Sequence, residues 1–255
     1  MANTKFPTEV ISLPSKGYFY PEDSPLSSGE IEIKYMTARE EDILTSSNLI
    51  QKGIVLDKLL EALVVSKVNL NDILIGDKNA IMIASRVLAY GKEYTFEYTD
   101  ESTGRTREET IDLTTLENKK IDFSKYEKGK NEFNFELPAS KKTITFKILT
   151  QREEKQIDNE LKAMRKLIKK SGIDPEITTR LKASIISIDG DRNRNIVNKF
   201  VDNEFLSVDS FAYRTYLVSI TPDVDLSFSV ELDNGEFEEI AVPVTAQFFW
   251  PSVIG

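Results

Sequence analysis

Two stretches of the chain share a pattern in which alternating apolar and polar positions lead directly into a helix start. The first reads Ile31-Glu-Ile-Lys-Tyr-Met-Thr-Ala-Arg-Glu-Glu41, and the second reads Ile144-Thr-Phe-Lys-Ile-Leu-Thr-Gln-Arg-Glu-Glu154. Alternation with a period of two predicts a half-buried strand. The Thr-x-x-Glu that follows predicts a helix N-terminus, because the Glu side chain can reach back to the backbone amide of the Thr. The sequence therefore predicts a strand and then a capped helix at both places.

The two copies keep a constant spacing over long parts of the chain. Two pairs of positions are 113 residues apart: Lys34 with Lys147, and Thr37 with Thr150. Two later motifs are 132 residues apart: Leu74 to Asp77 with Leu206 to Asp209, and Tyr94 to Phe96 with Leu226 to Phe228. A spacing that increases once, by about 19 residues, is typical of a duplicated unit with one insertion. Chance repetition of strand, cap and helix is the alternative interpretation.

These patterns predict the α+β fold class, with an internally duplicated unit. Each copy is expected to contain a strand or hairpin, a helical cluster and then a β-hairpin. The final hairpins are predicted from alternating segments that flank Gly104 and the Asn234-Gly235 pair. The predicted organisation has five parts: an extended N-terminal arm at 1–30, a first α+β repeat at 31–113, a linker at 114–130, a second α+β repeat at 131–242 and an aromatic C-terminal tail at 243–255.

Apolar residues at helical spacing predict the helices of both repeats. In the first repeat they cover about 37–51, 55–64 and 77–90. In the second repeat a long amphipathic helix follows Thr150, and shorter helices are expected near 174–186, 192–203 and 209–219. The basic side of the long helix is expected to face solvent, with partner binding as the alternative.

Aromatic residues cluster at both ends of the chain. Aromatic side chains are enriched at the energetically dominant positions of protein interfaces, so these clusters are candidate partner contacts. The candidate residues are Tyr18, Phe19, Tyr20, Pro21, Phe248, Phe249, Trp250 and Pro251. Packing of each end on the chain's own body is the other interpretation, and the sequence leaves both open. Under the partner interpretation, deletion of Phe248–Gly255 blocks assembly and leaves the remainder soluble.

Charge and composition narrow the function classes. The chain carries 33 Lys and Arg against 42 Asp and Glu, a net charge of −9, which argues against broad binding to nucleic acid. No apolar run approaches the ~20 residues that span a bilayer. The first residues lack the apolar segment of a signal peptide, so a cytosolic origin and no membrane partner are expected. The chain has neither Cys nor His, which removes thiolate nucleophiles and the usual general base near neutral pH.

The candidate metal-binding and catalytic motifs lack the residues or the geometry that their chemistry requires. Asp189-Gly-Asp-Arg-Asn-Arg-Asn195 resembles a calcium loop, but Arg194 and Phe200 stand where an EF-hand needs Gly and Glu. A helix N-terminus capped by Asp and Asn is the preferred interpretation. The paired carboxylates at 40–41 and 153–154 point apart on a helix. No catalytic residue, metal ligand, cofactor or small-molecule substrate is therefore predicted, and a carboxylate-based metal hydrolase is a remote alternative.

Four separated motifs occur in an order that has a counterpart in a known family. They are Leu13-Pro-Ser-Lys-Gly-Tyr-Phe-Tyr-Pro21, Gly29-Glu-Ile-Glu-Ile-Lys-Tyr-Met-Thr-Ala-Arg-Glu-Glu-Asp-Ile-Leu44, Gly76-Asp-Lys-Asn79 and Phe248-Phe-Trp-Pro251. Together they resemble the small baseplate-hub family of T-even-like contractile-tailed phages, and the resemblance spans residues 10–252.

The resemblance implies a non-enzymatic structural or assembly subunit of the baseplate hub, which acts through interfaces with other phage tail or baseplate hub proteins. It implies a place in the virion's tail baseplate after assembly in the host cytoplasm. A tail assembly chaperone that is absent from the mature virion is the alternative. The chain has Thr99-Asp-Glu-Ser102 at the first hairpin, where some relatives are expected to carry zinc-holding Cys pairs. The hairpins are then expected to depend on packing and turn chemistry alone.

Overall fold

The fold combines short helices with small antiparallel sheets. The computed structural model describes residues 7–100, 103–167, 174–232, 235–244 and 246–249. Within these ranges it contains eight α-helices and nine strands, which confirms the predicted α+β class. No helix in the described part of the chain combines the length and the apolar character needed to cross a membrane.

The helices and strands follow each other in two similar series. The helices are α1 (Ala38–Leu44), α2 (Ser47–Lys52), α3 (Val55–Leu63), α4 (Ile75–Tyr90), α5 (Gln151–Leu167), α6 (Glu176–Ser184), α7 (Arg194–Asn203) and α8 (Ser207–Ile220). The strands are β1 (Thr8–Ser12), β2 (Glu30–Lys34), β3 (Glu93–Thr99), β4 (Thr106–Asp112), β5 (Phe133–Glu136), β6 (Thr143–Phe146), β7 (Ile185–Ile188), β8 (Ser227–Glu231) and β9 (Phe237–Ala241).

Each series begins and ends with a hairpin. The opening hairpins are β1–β2 and β5–β6, and the closing hairpins are β3–β4 and β8–β9. A third segment lies beside each opening hairpin, because Ile33 of β2 forms a bridge with Val64 while β6 pairs with β7. Both closing turns are described only in part. Residues 101–102 of the first turn and residues 233–234 of the second lie outside the described residues.

The two long central helices start in the same way. The residues before α4 and α8, Leu74 and Leu206, have φ/ψ angles of −63/146° and −62/145°. Three positions later each helix has a fully buried aspartate, Asp77 and Asp209. This likeness is what a duplicated unit predicts, and duplication of the whole unit stays a prediction.

Two predicted helix boundaries were wrong. The helix expected at about 37–51 is two helices, because Thr45 and Ser46 interrupt it; the Thr45 hydroxyl donates to the carbonyl of Glu41 and so competes with the backbone ladder. The helix expected near 174–186 ends at Ser184, and Ile185–Ile188, in which three of the four residues are β-branched, instead pairs with β6. Branched side chains favour a strand where a sheet edge is available.

The two series share one hydrophobic core, and residues 114–130 lie against both of them. Phe19 of the N-terminal segment packs edge-on against Phe133 of β5, with ring centroids 5.1 Å apart. The ring centroids of Phe123 and Tyr126 each lie 5.7 Å from the centroid of the same Phe19 ring. A backbone bridge joins Asn118 to Val224. The predicted halves are therefore packed on each other through buried aromatic side chains and backbone hydrogen bonds.

Candidate interaction site

The N-terminal aromatic residues fill the chain's own core. Phe19 and Tyr20 are only 2% and 4% exposed, Tyr18 is half-buried, and Pro21 is exposed. The Tyr20 hydroxyl donates to Asp77 Oδ2 at 2.6 Å and accepts from the backbone N–H of Leu74 at 2.9 Å. These contacts leave Phe19 and Tyr20 almost no surface for a neighbour, so the prediction that they anchor on a partner is corrected for both. Contact of Tyr18 and Pro21 with a partner stays a prediction.

The C-terminal phenylalanines are also internal. Phe248 and Phe249 are 0% exposed, and the Phe248 ring meets Tyr94 of β3 at a centroid distance of 4.8 Å. The self-packing alternative thus describes these two residues, and the partner interpretation is corrected for them. Burial of large apolar rings in the chain's own core removes them from water without any partner. Trp250 and Pro251 lie outside the described residues.

Arg86 of α4 holds this C-terminal segment. Its Nε donates to the carbonyl oxygen of Phe248 at 2.9 Å, and its two terminal nitrogens donate to the carbonyls of Gly91 and Glu93. Its guanidinium also lies over the ring of Tyr94, 5.9 Å from the centroid. Burial lowers the pKa of Arg86, while the nearby Tyr90 and Tyr94 oppose this shift. The contact binds the backbone at Phe248 to α4 and to the start of β3.

Asp77 is the centre of a buried polar cluster that sequence reasoning missed. Its carboxylate accepts hydrogen bonds from the backbone N–H of Ser15 at 2.9 Å, from the Ser15 hydroxyl at 2.6 Å and from Tyr20. Burial raises the pKa of Asp77, while the hydrogen bonds from Ser15 and Tyr20 oppose the shift. The cluster ties the turn at Leu13–Gly17 to the first turn of α4. Lys16 and Gly17 in this turn both have positive φ, and a Cβ on Gly17 would lie 2.3 Å from the carbonyl oxygen of Ser27.

Asp209 occupies the matching place in the second series of elements. Its two carboxylate oxygens accept from the backbone N–H groups of Ala139 and Ser140, at 2.7 and 3.0 Å. Both aspartates therefore bind the backbone just after a Leu-Pro pair, Leu13-Pro14 in the first series and Leu137-Pro138 in the second. The sequence signal for this contact was present: a Leu-Pro pair upstream of each Leu-x-x-Asp helix start. Its two parts are separated by more than 60 residues, which made the pairing hard to recognise.

The two predicted helix caps have the same geometry. Glu40 Oε2 accepts from the backbone N–H and the hydroxyl of Thr37 at 2.9 and 2.6 Å, and Glu153 Oε2 accepts from the same groups of Thr150 at 2.9 and 2.5 Å. The other oxygen of each glutamate binds the lysine of the preceding strand, at 2.7 Å in both cases. The reach of each Glu back to its Thr is confirmed, and the lysine adds a cation that the cap motif alone does not predict.

The Glu40 contacts give a pH dependence with a definite sign. Burial opposes ionisation of Glu40, but hydrogen bonds from Lys34 and Thr37 outweigh it and lower its pKa from 4.5 to about 2. Because the pKa of Glu40 is lower in the folded protein than in the unfolded chain, its ionised carboxylate stabilises the fold at pH values above the unfolded pKa. This stabilisation is lost as the pH falls from about 4.5 towards 2.

We expect Glu40→Gln to lower the free energy of unfolding at pH 7 by about 2 kcal/mol. Urea unfolding followed from pH 7 to pH 3 checks this, since the difference between the variant and the unaltered protein should shrink below pH 4.5. Glu9→Gln, on the exposed strand β1, is the control and should change little. If Glu40→Gln lowers the free energy of unfolding by the same amount at pH 3 and at pH 7, the charge of Glu40 does not have the expected role.

The candidate calcium loop is a helix cap, as predicted. Asn193 precedes α7 and its side chain accepts from the backbone N–H of Asn195. The Asp191 carboxylate accepts from the N–H of Asn193, and the Asp189 carboxylate accepts from the N–H of Thr143 on β6. Each of these three side chains therefore accepts a hydrogen bond from the chain's own backbone. In the described ranges there is no group of three or more His, Cys, Asp or Glu residues that could hold a metal ion.

An apolar surface on α8 and α6 was not predicted. Five large apolar side chains that are half or more exposed lie on these helices or just before α8: Ile177, Leu206, Val208, Phe211 and Val218. Ile177 and Val218 line one groove of about 360 Å³, whose walls also include the charged side chains of Glu176, Arg180 and Arg214. Exposed apolar patches of this kind on soluble proteins mark interaction sites. We call these five residues the α8 surface.

Fold and surfaces together define a small α+β protein whose buried charged groups bind its own backbone and side chains, and five of whose exposed large apolar side chains lie on or beside two helices. Comparison with protein-family models finds the family described as T4 bacteriophage base plate protein, matched over residues 18–202. This match covers more than half of the chain, and the protein belongs to that family. Comparisons with curated proteins and with solved structures find no match.

Proposed function

We propose that this protein is a non-enzymatic structural subunit of the hub of a contractile phage tail baseplate. The observation that carries the proposal is the family match over residues 18–202, which includes the opening hairpin β5–β6, both capped helices and all of α4. The motifs at 13–21 and 29–44 support the hub in particular, because they are the motifs that resemble small hub proteins. The protein acts through protein–protein contacts with other baseplate proteins.

The buried charged groups support a structural role. Glu40 and Glu153 close helix N-termini, and Asp77 and Asp209 bind the two Leu-Pro turns. An acid or base at an active site has to face a substrate, whereas these carboxylates are enclosed by the chain's own donors. These four carboxylates therefore stabilise turns and helix N-termini of the protein itself.

Protein analysis of purified tails tests the proposal. We expect the chain to be detected by mass spectrometry in tails purified from the phage that encodes it, at a fixed ratio to the other baseplate proteins. Amber mutation of its gene should leave particles without a complete baseplate, and complementation from a plasmid should restore it. Absence of the chain from complete tails, with a continued need for its gene, would overturn the structural assignment in favour of an assembly chaperone.

A further inference from the structure

The outer edge of β1 is open. The strand pairs with β2 on one side, and no other segment in the described ranges pairs with its second side. Two backbone hydrogen bonds extend the β1–β2 ladder: the N–H of Tyr35 donates to the carbonyl of Pro7, and the N–H of Leu13 donates to the carbonyl of Gly29. The backbone groups of an antiparallel strand alternate in direction, so the odd-numbered residues of β1 face β2. The residues whose N–H and C=O groups point away from β2 are Thr8, Val10 and Ser12.

The outward-facing backbone groups of β1 are accessible to a partner. Thr8, Val10 and Ser12 are all exposed, and the side chain of Val10 is 57% exposed. The five residues of the strand include no Lys and no Pro, and their register with β2 has no bulge. Lys, Pro and bulges are features with which proteins protect an open edge. The element that offers N–H and C=O groups in the matching alternating order is another extended strand.

The sequence of β1 is complementary to itself in the antiparallel direction. A twofold axis at Val10 places this residue opposite its own copy and Thr8 opposite Ser12, so that all the outward-facing groups of both strands form hydrogen bonds. Glu9 then lies opposite Ile11, and no two charges of the paired strands face each other. An axis at Glu9 would oppose two carboxylates, and an axis at Ile11 would leave Thr8 without a partner in the other strand.

Two other strands of the hairpins lack this complementarity. β4 and β9 have a glutamate at the centre, Glu109 and Glu239. Pairing of either strand with its own copy about its centre would bring two carboxylates directly opposite each other, which destabilises a sheet. The central residue of β1 is an exposed valine, and its contact with the same valine of a second copy removes apolar surface from water. The charge pattern of β1 therefore favours a second copy of this chain as its partner.

We propose that the protein forms a twofold-symmetric dimer in which the β1 strands of two copies pair antiparallel about Val10. The pairing joins two sheets, each made of β1, β2 and the segment 64–66 that lies beside β2, into one continuous sheet. A contact between identical surfaces closes on itself and does not continue into a fibre. Strands of five residues make a small contact compared with the ~1,200–2,000 Å² of stable complexes. The dimer is therefore weak and forms at high protein concentration.

Sedimentation velocity of the full chain over a range of concentrations tests the inference. The unaltered protein should change from monomer to dimer as the concentration rises. Val10→Lys should raise the dissociation constant at least tenfold without changing the melting temperature, because it places two ammonium groups opposite each other at the twofold axis and the site is exposed in the monomer. A monomer at every concentration, or a dimer that Val10→Lys does not weaken, would overturn the inference.

Val65→Lys is the matched control for this substitution. Val10 lies opposite Glu32, and the bridge between Ile33 and Val64 places Glu32 opposite Val65. Val10 and Val65 therefore lie in one row on the same face of the sheet, and Val65 is 46% exposed. Because Val65 is far from the twofold axis, Val65→Lys should dimerise like the unaltered protein.

A crosslink identifies the strands that pair. The chain has no Cys, so Val10→Cys introduces a single thiol, and the paired Cα atoms at the axis would be about 5.5 Å apart. A short bismaleimide should convert this variant to a covalent dimer. In Val65→Cys the two thiols would be separated by five strand spacings, about 24 Å, and the same reagent should give little dimer. Equal yields from the two variants, or no dimer from Val10→Cys, would show that the β1 strands do not pair.

Discussion

Replacement of Phe248 by Ala is expected to destabilise the protein by about 3–5 kcal/mol. The side chain is fully enclosed, with its ring against Tyr94 and Phe249, and its backbone carbonyl fixed by Arg86. The removed ring leaves a cavity that the surrounding strands and α4 cannot close completely. Because small domains are stable by only about 5–15 kcal/mol, deletion of the whole tail from Phe248 should unfold the chain. This reverses the expectation that the truncated protein stays soluble.

Urea unfolding of Phe248→Ala measures the effect directly. Phe237→Ala is the control, because that ring is mostly exposed and its removal should change the free energy of unfolding by less than about 0.5 kcal/mol. A second control deletes residues 250–255 and keeps both buried phenylalanines. If Phe248→Ala unfolds at the same urea concentration as the unaltered protein but is not incorporated into tails, the ring is a partner anchor after all.

Local signals in the sequence were sufficient for the elements that depend on few neighbours. The two Thr-x-x-Glu caps were predicted because all the atoms involved lie within four residues. The closing hairpins were predicted because alternation and a Gly at the turn are also local. The cap at Asn193 belongs to the same class.

Long-range packing decides the features that were missed. The aromatic ends were left open between the chain's own core and a partner, because a run such as Tyr18–Tyr20 has the same composition in a core and in an interface. Their burial depends on Phe133 and Asp77, which are far away in the sequence. The strand β7 was missed because Ile185–Ile188 continues the apolar pattern of α6, and pairing with β6 decides its conformation. The α8 surface became visible only when burial showed which apolar residues remain exposed.

Replacement of Asp77 by Ala should cost about 3 kcal/mol or more of the free energy of unfolding, since a buried donor without a partner costs about 1–3 kcal/mol. The change leaves the Ser15 N–H and the Tyr20 hydroxyl without their acceptor. Asp77→Asn should cost less, because the remaining oxygen still accepts from the Ser15 N–H and the hydroxyls can rotate to accept from the new amide. Asp209→Ala is the matched change in the second series of elements, where two backbone N–H groups lose their acceptor.

A double-mutant cycle with Tyr20→Phe separates a true cluster from two independent contacts. If Asp77 and Tyr20 act together, the double variant should lose less stability than the sum of the single losses, with a coupling of at least about 0.5 kcal/mol. The cycle is informative because Tyr20 also accepts from the N–H of Leu74, so it joins the N-terminal turn to the start of α4 through two separate bonds. Additive losses would mean that Tyr20 stabilises the helix start without Asp77. In that case only the hydrogen bonds from Ser15 to Asp77 connect the turn after Leu13-Pro14 to α4. The Asp77 contact would then resemble the Asp209 contact more closely, because Asp209 binds its turn through backbone N–H groups and without a tyrosine.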